Sequence, residues 1–379
     1  MGCDKLAIKT ALTERLGLKS PIFLAGMGPF STYKTAEKVA NAGGVGVTSH
    51  WNIVSKVNSR TFQLDEDDEN ARVITSLEKT EYDLKHLSKN TRDGAVIGCN
   101  VLVSRIQLDS IPMIELILKL RDEDPVLKER LKVIVTSAGN PKPPARQINE
   151  WKNASDPDDE LMHFHVVPTV RHAGKAIKAG CDGLITAGYE GGGHQSYEGV
   201  NTSVLIPQIR AEYPETYIVA SGGFYDGITL SSALSLGADA VQMGTRFISA
   251  RDSDFHPNFK EIIIKSESED TLIGSGAFGP IRLLKNSYAF DHREPVSRED
   301  HIEKERRTCA ALGGGEPVFD FVCDMKKYDA VYAGDVENGA VLAGQTCGGI
   351  KRLETVEDIM NDALRDAEEN IRRVFSLLE

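Results

Sequence analysis

The residues Tyr189-Glu190-Gly191-Gly192-Gly193-His194 combine a backbone that can approach a flat or phosphorylated ligand with a side chain that moves protons near neutral pH. Two further glycine sites follow, Ala220-Ser221-Gly222-Gly223 and Met243-Gly244-Thr245, each closing a short apolar run. The two are 23 residues apart, about one βα unit, so their N–H groups and hydroxyls can share one phosphate, as in the late-strand phosphate site of (β/α)8 barrels. Before them, Pro21-Ile22-Phe23-Leu24 runs into the small-residue turn Ala25-Gly26-Met27-Gly28, which can lie edge-on to an aromatic ring system with the Met27 thioether beside it. Asn100 closes another apolar run and offers both donor and acceptor to a pyrimidine edge. Glu190 either orients a ring or ribityl hydroxyl or fixes its own loop. No GxxxxGK[ST] loop is present, which argues against a nucleoside triphosphate. No GxGxxG opens the first βα unit, which disfavours a Rossmann dinucleotide fold.

Other reactive side chains have plainer readings. His163 and His165 share one side of a strand, but no carboxylate or cysteine cluster accompanies them, and no metal is expected. Cys99, Cys181 and Cys347 lack a base partner and are not expected to be nucleophiles. With Cys3, Cys309 and Cys323 they form no CxxC pair and read as reduced thiols of a cytoplasmic protein.

The elements that must position these groups alternate from residue 20 to about 250. Eight short apolar segments read as strands: Ile22–Ala25, Val45–Thr48, Val96–Val103, Lys132–Thr136, Met162–Val167, Gly183–Thr186, Ile218–Ala220 and Ala240–Met243. Their two-faced apolar character fits parallel strands covered by helices, and their number predicts a closed (β/α)8 TIM barrel over residues 1–250. Ser110 is a candidate cap for a helix bearing Ile111, Ile114, Ile117 and Leu118 on one face. Asp226 is expected to cap another that stops at Gly237. The acidic run 65–69 and the proline-rich Asn140–Arg146 read as surface loops. At 379 residues the chain exceeds the roughly 250 of one barrel. Residues 251–379 are expected to form a mainly helical C-terminal subdomain near the barrel mouth, where it can exclude water. It includes helices at Pro257–Ser266 and Thr355–Leu378, the latter docking through Ile359, Ala363, Leu364, Ile371, Val374 and Phe375.

A net charge of −12 argues against nucleic acid or an anionic membrane as the main partner. No apolar run reaches the roughly 18 residues of a membrane span, and no signal-peptide core opens the chain. Met1-Gly2 lacks the Ser or Thr that myristoylation needs at Leu6. The expected partners are a small-molecule substrate and, at most, a second copy of the chain in a homodimer.

Taken together, the ordered pieces resemble the nitronate monooxygenase (2-nitropropane dioxygenase) family. They are Ala25-Gly26-Met27, Asn41-Ala42-Gly43-Gly44, Gly188-Tyr189-Glu190 with Gly192-Gly193-His194, Ala220-Ser221-Gly222-Gly223-Phe224, Leu236-Gly237-Ala238-Asp239-Ala240, Val241-Gln242-Met243-Gly244-Thr245-Arg246-Phe247 and, near the end, Ala343-Gly344-Gln345. The resemblance implies one non-covalent FMN. Ala25, Gly26, Met27 and Asn100 would line its ring, Gly192 and Gly193 would approach it, and Ser221, Gly222, Gly223, Gly244 and Thr245 would hold the phosphate, with His194 catalytic. Three features depart from family patterns. Val166 stands where some relatives carry a lysine, Ala187 where some carry an aspartate, and the first turn reads Ala-Gly-Met-Gly where many nitronate oxidisers carry Ala-Pro-Met. The segment Gln195–Asn201 is short and resembles flavin-dependent enoyl reductases. The resemblance therefore implies nitronate oxidation first. The alternative is NAD(P)H-dependent reduction of an enoyl thioester or quinone, with the cofactor carrying the hard chemistry in both cases. A flavin-free sugar-phosphate isomerase or aldolase lacks an evident strand-end lysine, and a pure binding module leaves His194 unexplained.

Overall fold

The computed structural model describes residues 8–28, 30, 32–50, 76–104, 109–155, 159–276, 279–294, 297–300, 302–303, 307 and 327–378. Met1, Gly2, Leu6, the acidic run 65–69 and three cysteines (Cys3, Cys309, Cys323) lie outside them. Eight parallel strands close into a barrel in the order β1 (Ile22–Leu24), β2 (Val45–His50), β3 (Val96–Leu102), β4 (Leu131–Ser137), β5 (Met162–Val167), β6 (Gly183–Ala187), β8 (Tyr217–Ser221) and β9 (Ala240–Met243). Closure is made by β1 on β9, with Ile22, Phe23 and Leu24 opposite Val241, Gln242 and Met243. These are the eight segments expected from sequence, each within two residues at either end. Their centres are wholly buried, Phe23 meeting Phe164 edge-on across the barrel at 6.0 Å between ring centroids. A parallel barrel places all strand C-termini on one face, so residues that end strands far apart in sequence converge there.

The helices follow their signals in most places. Asp226 accepts from the Thr229 N–H in a capping box, and Gly237 takes a left-handed φ of 104° after the helix Gly227–Ser235. Two local expectations are corrected. Ser110 is the first helical residue and Asp109 holds the cap position, without a side-chain cap bond. Ile114, Ile117 and Leu118 bury as expected, while Ile111 is exposed. Asn140–Arg146 is not all loop, because a helix runs from Lys142 to Ala154. Pro143 and Pro144 fall in its first turn, where the missing N–H groups have no intrahelical acceptor to lose.

The C-terminal portion is mainly helical, with Pro257–Lys265 and Val356–Phe375 the longest of its described helices. It also carries an antiparallel hairpin, β10 (Thr271–Gly276) and β11 (Gly279–Leu284). The two-residue strand β7 (Gly193–His194) joins the edge of β11, pairing His194 with Ile281 and Gly193 with Arg282. The last helix begins at the expected Thr355–Asp358 capping box. It packs along Gly227–Ser235 and touches Tyr33–Asn41, which seats it in the outer ring of barrel helices. Val356, Ile359, Met360, Ala363, Leu364 and Ala367 are buried there. The stripe does not dock to its end: Ile371, Val374 and Phe375 are exposed, because the barrel surface beneath the helix runs out after Ala367.

Inside the barrel, Thr136 on β4 bridges the two histidines of β5, its hydroxyl lying 2.7 Å from His163 Nε2 and 2.8 Å from His165 Nδ1. Burial, with each ring further disfavoured by neighbouring cationic or titratable groups, lowers His163 to about 3 and His165 to about 4, so both are neutral. The unfolded chain takes those protons near pH 6.5, and the folded state refuses them. Stability is therefore full above about pH 6.5 and falls as pH drops towards 4, by up to ~1.4 kcal/mol per pH unit for each histidine. Denaturation midpoints between pH 7.5 and 4.5 are expected to show that loss, with a shallower slope in His165→Gln. A flat profile would refute the neutral pair. Among the described residues no group of three or more His, Cys, Asp or Glu could hold a metal ion. Nor, among them, is any helix long and apolar enough to cross a membrane.

Candidate functional site

A cavity of about 1120 Å³ opens at the C-terminal ends of the strands. Its lining includes Ala25, Gly26 and Met27 after β1, Asn100 on β3, Gly192, Gly193 and His194 in the loop after β6, Ser221, Gly222 and Gly223 after β8, and Gly244 and Thr245 after β9. All twelve residues singled out from sequence thus meet in one space. Gly26 lies directly on Asn100, and a Cβ at position 26 would stand 2.6 Å from Asn100 Cγ. Asn100 is 7% exposed, and its amide makes no hydrogen bond to a described residue. Gly222 and Gly223, also in the lining, adopt φ of 94° and 91°, a left-handed pair of the kind that turns successive peptide N–H groups to one side.

Two hydroxyls flank those peptides. Ser221 Oγ accepts from Gln242 Nε2 at 3.1 Å and Thr245 Oγ1 accepts from the Gly344 N–H at 2.9 Å. Neither hydroxyl donates to another described residue, so both O–H groups are left for a ligand. Val166 and Ala187 also line the cavity and are neutral.

The histidine loop is held from three sides. Glu190 accepts from Thr202 N at 3.1 Å and from Thr202 Oγ1 at 2.9 Å, which gives its carboxylate the loop-fixing role of the two considered. Its carbonyl accepts from the Gln345 N–H at 3.0 Å, so Ala343-Gly344-Gln345 ties the loop to the β9 turn. Gln195 Nε2 donates to the Gly191 carbonyl at 2.7 Å. The side chain that sequence reasoning missed is Arg282. It is 5% exposed on β11, donates to the Tyr189 carbonyl at 3.2 and 2.9 Å and to Thr271 Oγ1 at 2.8 Å, and lies over the Tyr189 ring. No local signal marks it, because its partner is 93 residues away. Arg282→Met is expected to lower stability by about 1–3 kcal/mol by leaving a buried carbonyl unpaired. It should also reduce turnover roughly tenfold through a looser His194. Thermal unfolding and steady-state rates test this, and an unchanged rate would remove Arg282 from the positioning set.

The three described cysteines stay out of the chemistry. Burial pushes the Cys99 and Cys181 thiols up to about 12 and Cys347 to about 11, so none is a thiolate at neutral pH.

Comparison with known proteins fits this architecture. A dehydrogenase from Mycobacterium tuberculosis, acting on (3aS,4S,5R,7aS)-5-hydroxy-7a-methyl-1-oxo-octahydro-1H-indene-4-carboxyl-CoA, is 25% identical over 404 aligned positions, covering 99% of this chain and 100% of that protein. A probable nitronate monooxygenase of Staphylococcus aureus is 26% identical over 299 positions, 74% of this chain and 79% of its own. Among solved structures, FabK from Thermotoga maritima superposes with a TM-score of 0.74 at 25% identity, covering 98% of this chain and 100% of its own. The nitroalkane oxidase of Streptomyces ansochromogenes, at 22% identity and a TM-score of 0.67 over 96% of this chain and 100% of its own, shares the fold. The family model described as nitronate monooxygenase matches residues 9–366, from the first described helix to deep within the last, and the protein is an oxidoreductase belonging to that family.

Proposed function

We propose that the protein binds one FMN in the barrel mouth and oxidises alkyl nitronates with molecular oxygen. The observation that carries this is the convergence in one cavity of the Ser221–Gly223 and Gly244–Thr245 turns, the packed Gly26–Asn100 wall and His194. Ser221, Gly222, Gly223, Gly244 and Thr245 hold the phosphate, while Ala25, Met27 and the unpartnered Asn100 amide meet the ring. FMN supplies the electron-accepting ring. His194 holds the nitronate anion, or takes the proton of a neutral nitroalkane. Residues 1–250 supply the cofactor site, and residues 251–379 contribute its cover through Leu342, Gly344 and Thr346.

A second reading is NAD(P)H-dependent reduction of an enoyl thioester or quinone, in which His194 polarises the acceptor carbonyl or delivers its proton. The neutral Val166 and Ala187 favour it, as does the end-to-end match to a protein named for a carboxyl-CoA substrate. An anaerobic absorbance titration separates the two. Bleaching of the flavin band by propyl nitronate, with NADH and NADPH inert, supports the first. Bleaching by a nicotinamide, with the nitronate inert, overturns it in favour of the second. Purified protein that carries no FMN and takes none up overturns both.

A further inference from the structure

The cavity's lining is not uniform in charge. Its volume of about 1120 Å³ lies above the roughly 300–1,000 Å³ that one drug-sized ligand occupies. The lining from the strand ends of β1, β3, β6, β8 and β9, termed the inner end, carries no charged side chain among its described residues. The positive lining, termed the outer end, comes from the helices after β4 and β5, with Lys142 on Lys142–Ala154 and Lys175 and Lys178 on Val170–Ala179, and from Arg298. Glu198 is the sole carboxylate among the described lining residues, and it is already bonded to both Arg171 and Arg298. The three lysines are exposed and form no ion pair with a described residue.

Fold stability does not explain this arrangement. Lys142 opens the helix Lys142–Ala154, where the helix dipole disfavours a cation. Lys175 and Lys178 are i,i+3 neighbours on the helix Val170–Ala179 and repel one another without a compensating carboxylate. His172 also lines the cavity; burial lowers it first, then Arg171, with Lys175 and Arg298 adding to that and Glu198 opposing it. All this stands in a chain of net charge −12, so the cavity's outer arm is a positive inlet on an acidic protein.

We propose that this outer arm is a second anion subsite, which takes the phosphorylated adenosine diphosphate of a ligand whose reactive end reaches the His194 loop. The inference deepens the second reading of the function and rests on FMN occupying the inner end. Two ligands carry that chemistry, an acyl-CoA thioester and NADPH, and both present a diphosphate and a third phosphate to the lysines.

The test is calorimetric titration of the FMN-loaded protein with acetyl-CoA and, separately, with NADP+, while the absorbance spectrum reports flavin content. One site is expected for at least one nucleotide, with affinity falling about tenfold between low and moderate salt. The triple variant Lys142→Gln/Lys175→Gln/Lys178→Gln is expected to bind on the order of 30-fold more weakly while keeping its flavin and its unfolding temperature. Tight acetyl-CoA and weak NADP+ identify a thioester site, and the reverse identifies a nicotinamide site. No binding of either to flavin-loaded protein, or binding that the triple variant and salt leave unchanged, overturns the proposal. Because flavin content is read independently, that result leaves the FMN reading standing, whereas wild-type protein without flavin overturns both.

Discussion

Gly222→Ala is expected to yield a folded barrel that no longer retains FMN. Position 222 has a φ of 94°, and an added Cβ would stand 2.8 Å from the Gly188 carbonyl oxygen and 3.2 Å from the Gly191 nitrogen. Left-handed backbone costs an alanine about 1–2 kcal/mol, and the contact with Gly188 adds to it. Those neighbours are backbone, part of the strand end and loop that lead to His194, so position 222 must give way. Its peptide then turns from the cavity. Loss of one charge-assisted bond to a phosphate, about 1.5–3 kcal/mol, weakens FMN at least about tenfold, and loss of two weakens it more than about 100-fold. Flavin absorbance after gel filtration and an FMN titration measure this directly. Retention of stoichiometric FMN by the variant would move the phosphate away from the β8–β9 loops.

His194→Ala is expected to keep its flavin and lose turnover by about 10²–10⁴-fold, the usual worth of a positioned acid–base group. The split follows from where the residue sits. Its backbone is held by pairing with Ile281, and the neighbouring Gln195 N–H donates to the Pro280 carbonyl at 2.7 Å, so truncating the side chain leaves the loop in place. The side chain is exposed to the cavity and lies outside the core. The fall should appear in kcat, with an unperturbed flavin spectrum and melting temperature. Activity within threefold of the wild type would leave His194 without a catalytic role.

Much of this was legible because a (β/α)8 barrel turns sequence order into spatial convergence. Short two-faced apolar runs can only be covered strands. Once eight are recognised, whatever ends each of them belongs to one face of the molecule. Ala25, Asn100, Ser221 and Gly244 could therefore be assigned to one site without any knowledge of how strands pair, since parallel closure leaves their ends nowhere else to go. The left-handed terminus at Gly237 was legible for a similar reason, since glycine marks where the backbone needs a positive φ.

What remained for the tertiary structure has no local period. β7 is two residues long and meets β11 across 87 positions, so its pairing exists only once both segments are placed. Arg282, identified by that pairing, reads in sequence as one charged residue among apolar neighbours. The last helix shows an apolar stripe along its whole length, yet burial stops at Ala367 because the surface it meets ends there. Lys142, Lys175 and Lys178 belong to two separate helices, and only helix packing brings them to one cavity. The sequence by itself determined the barrel, the face of its site and the glycine positions, because strand period and backbone dihedrals are local properties. Tertiary structure alone decided which side chains brace His194 and where positive charge collects, because those depend on contacts between distant segments.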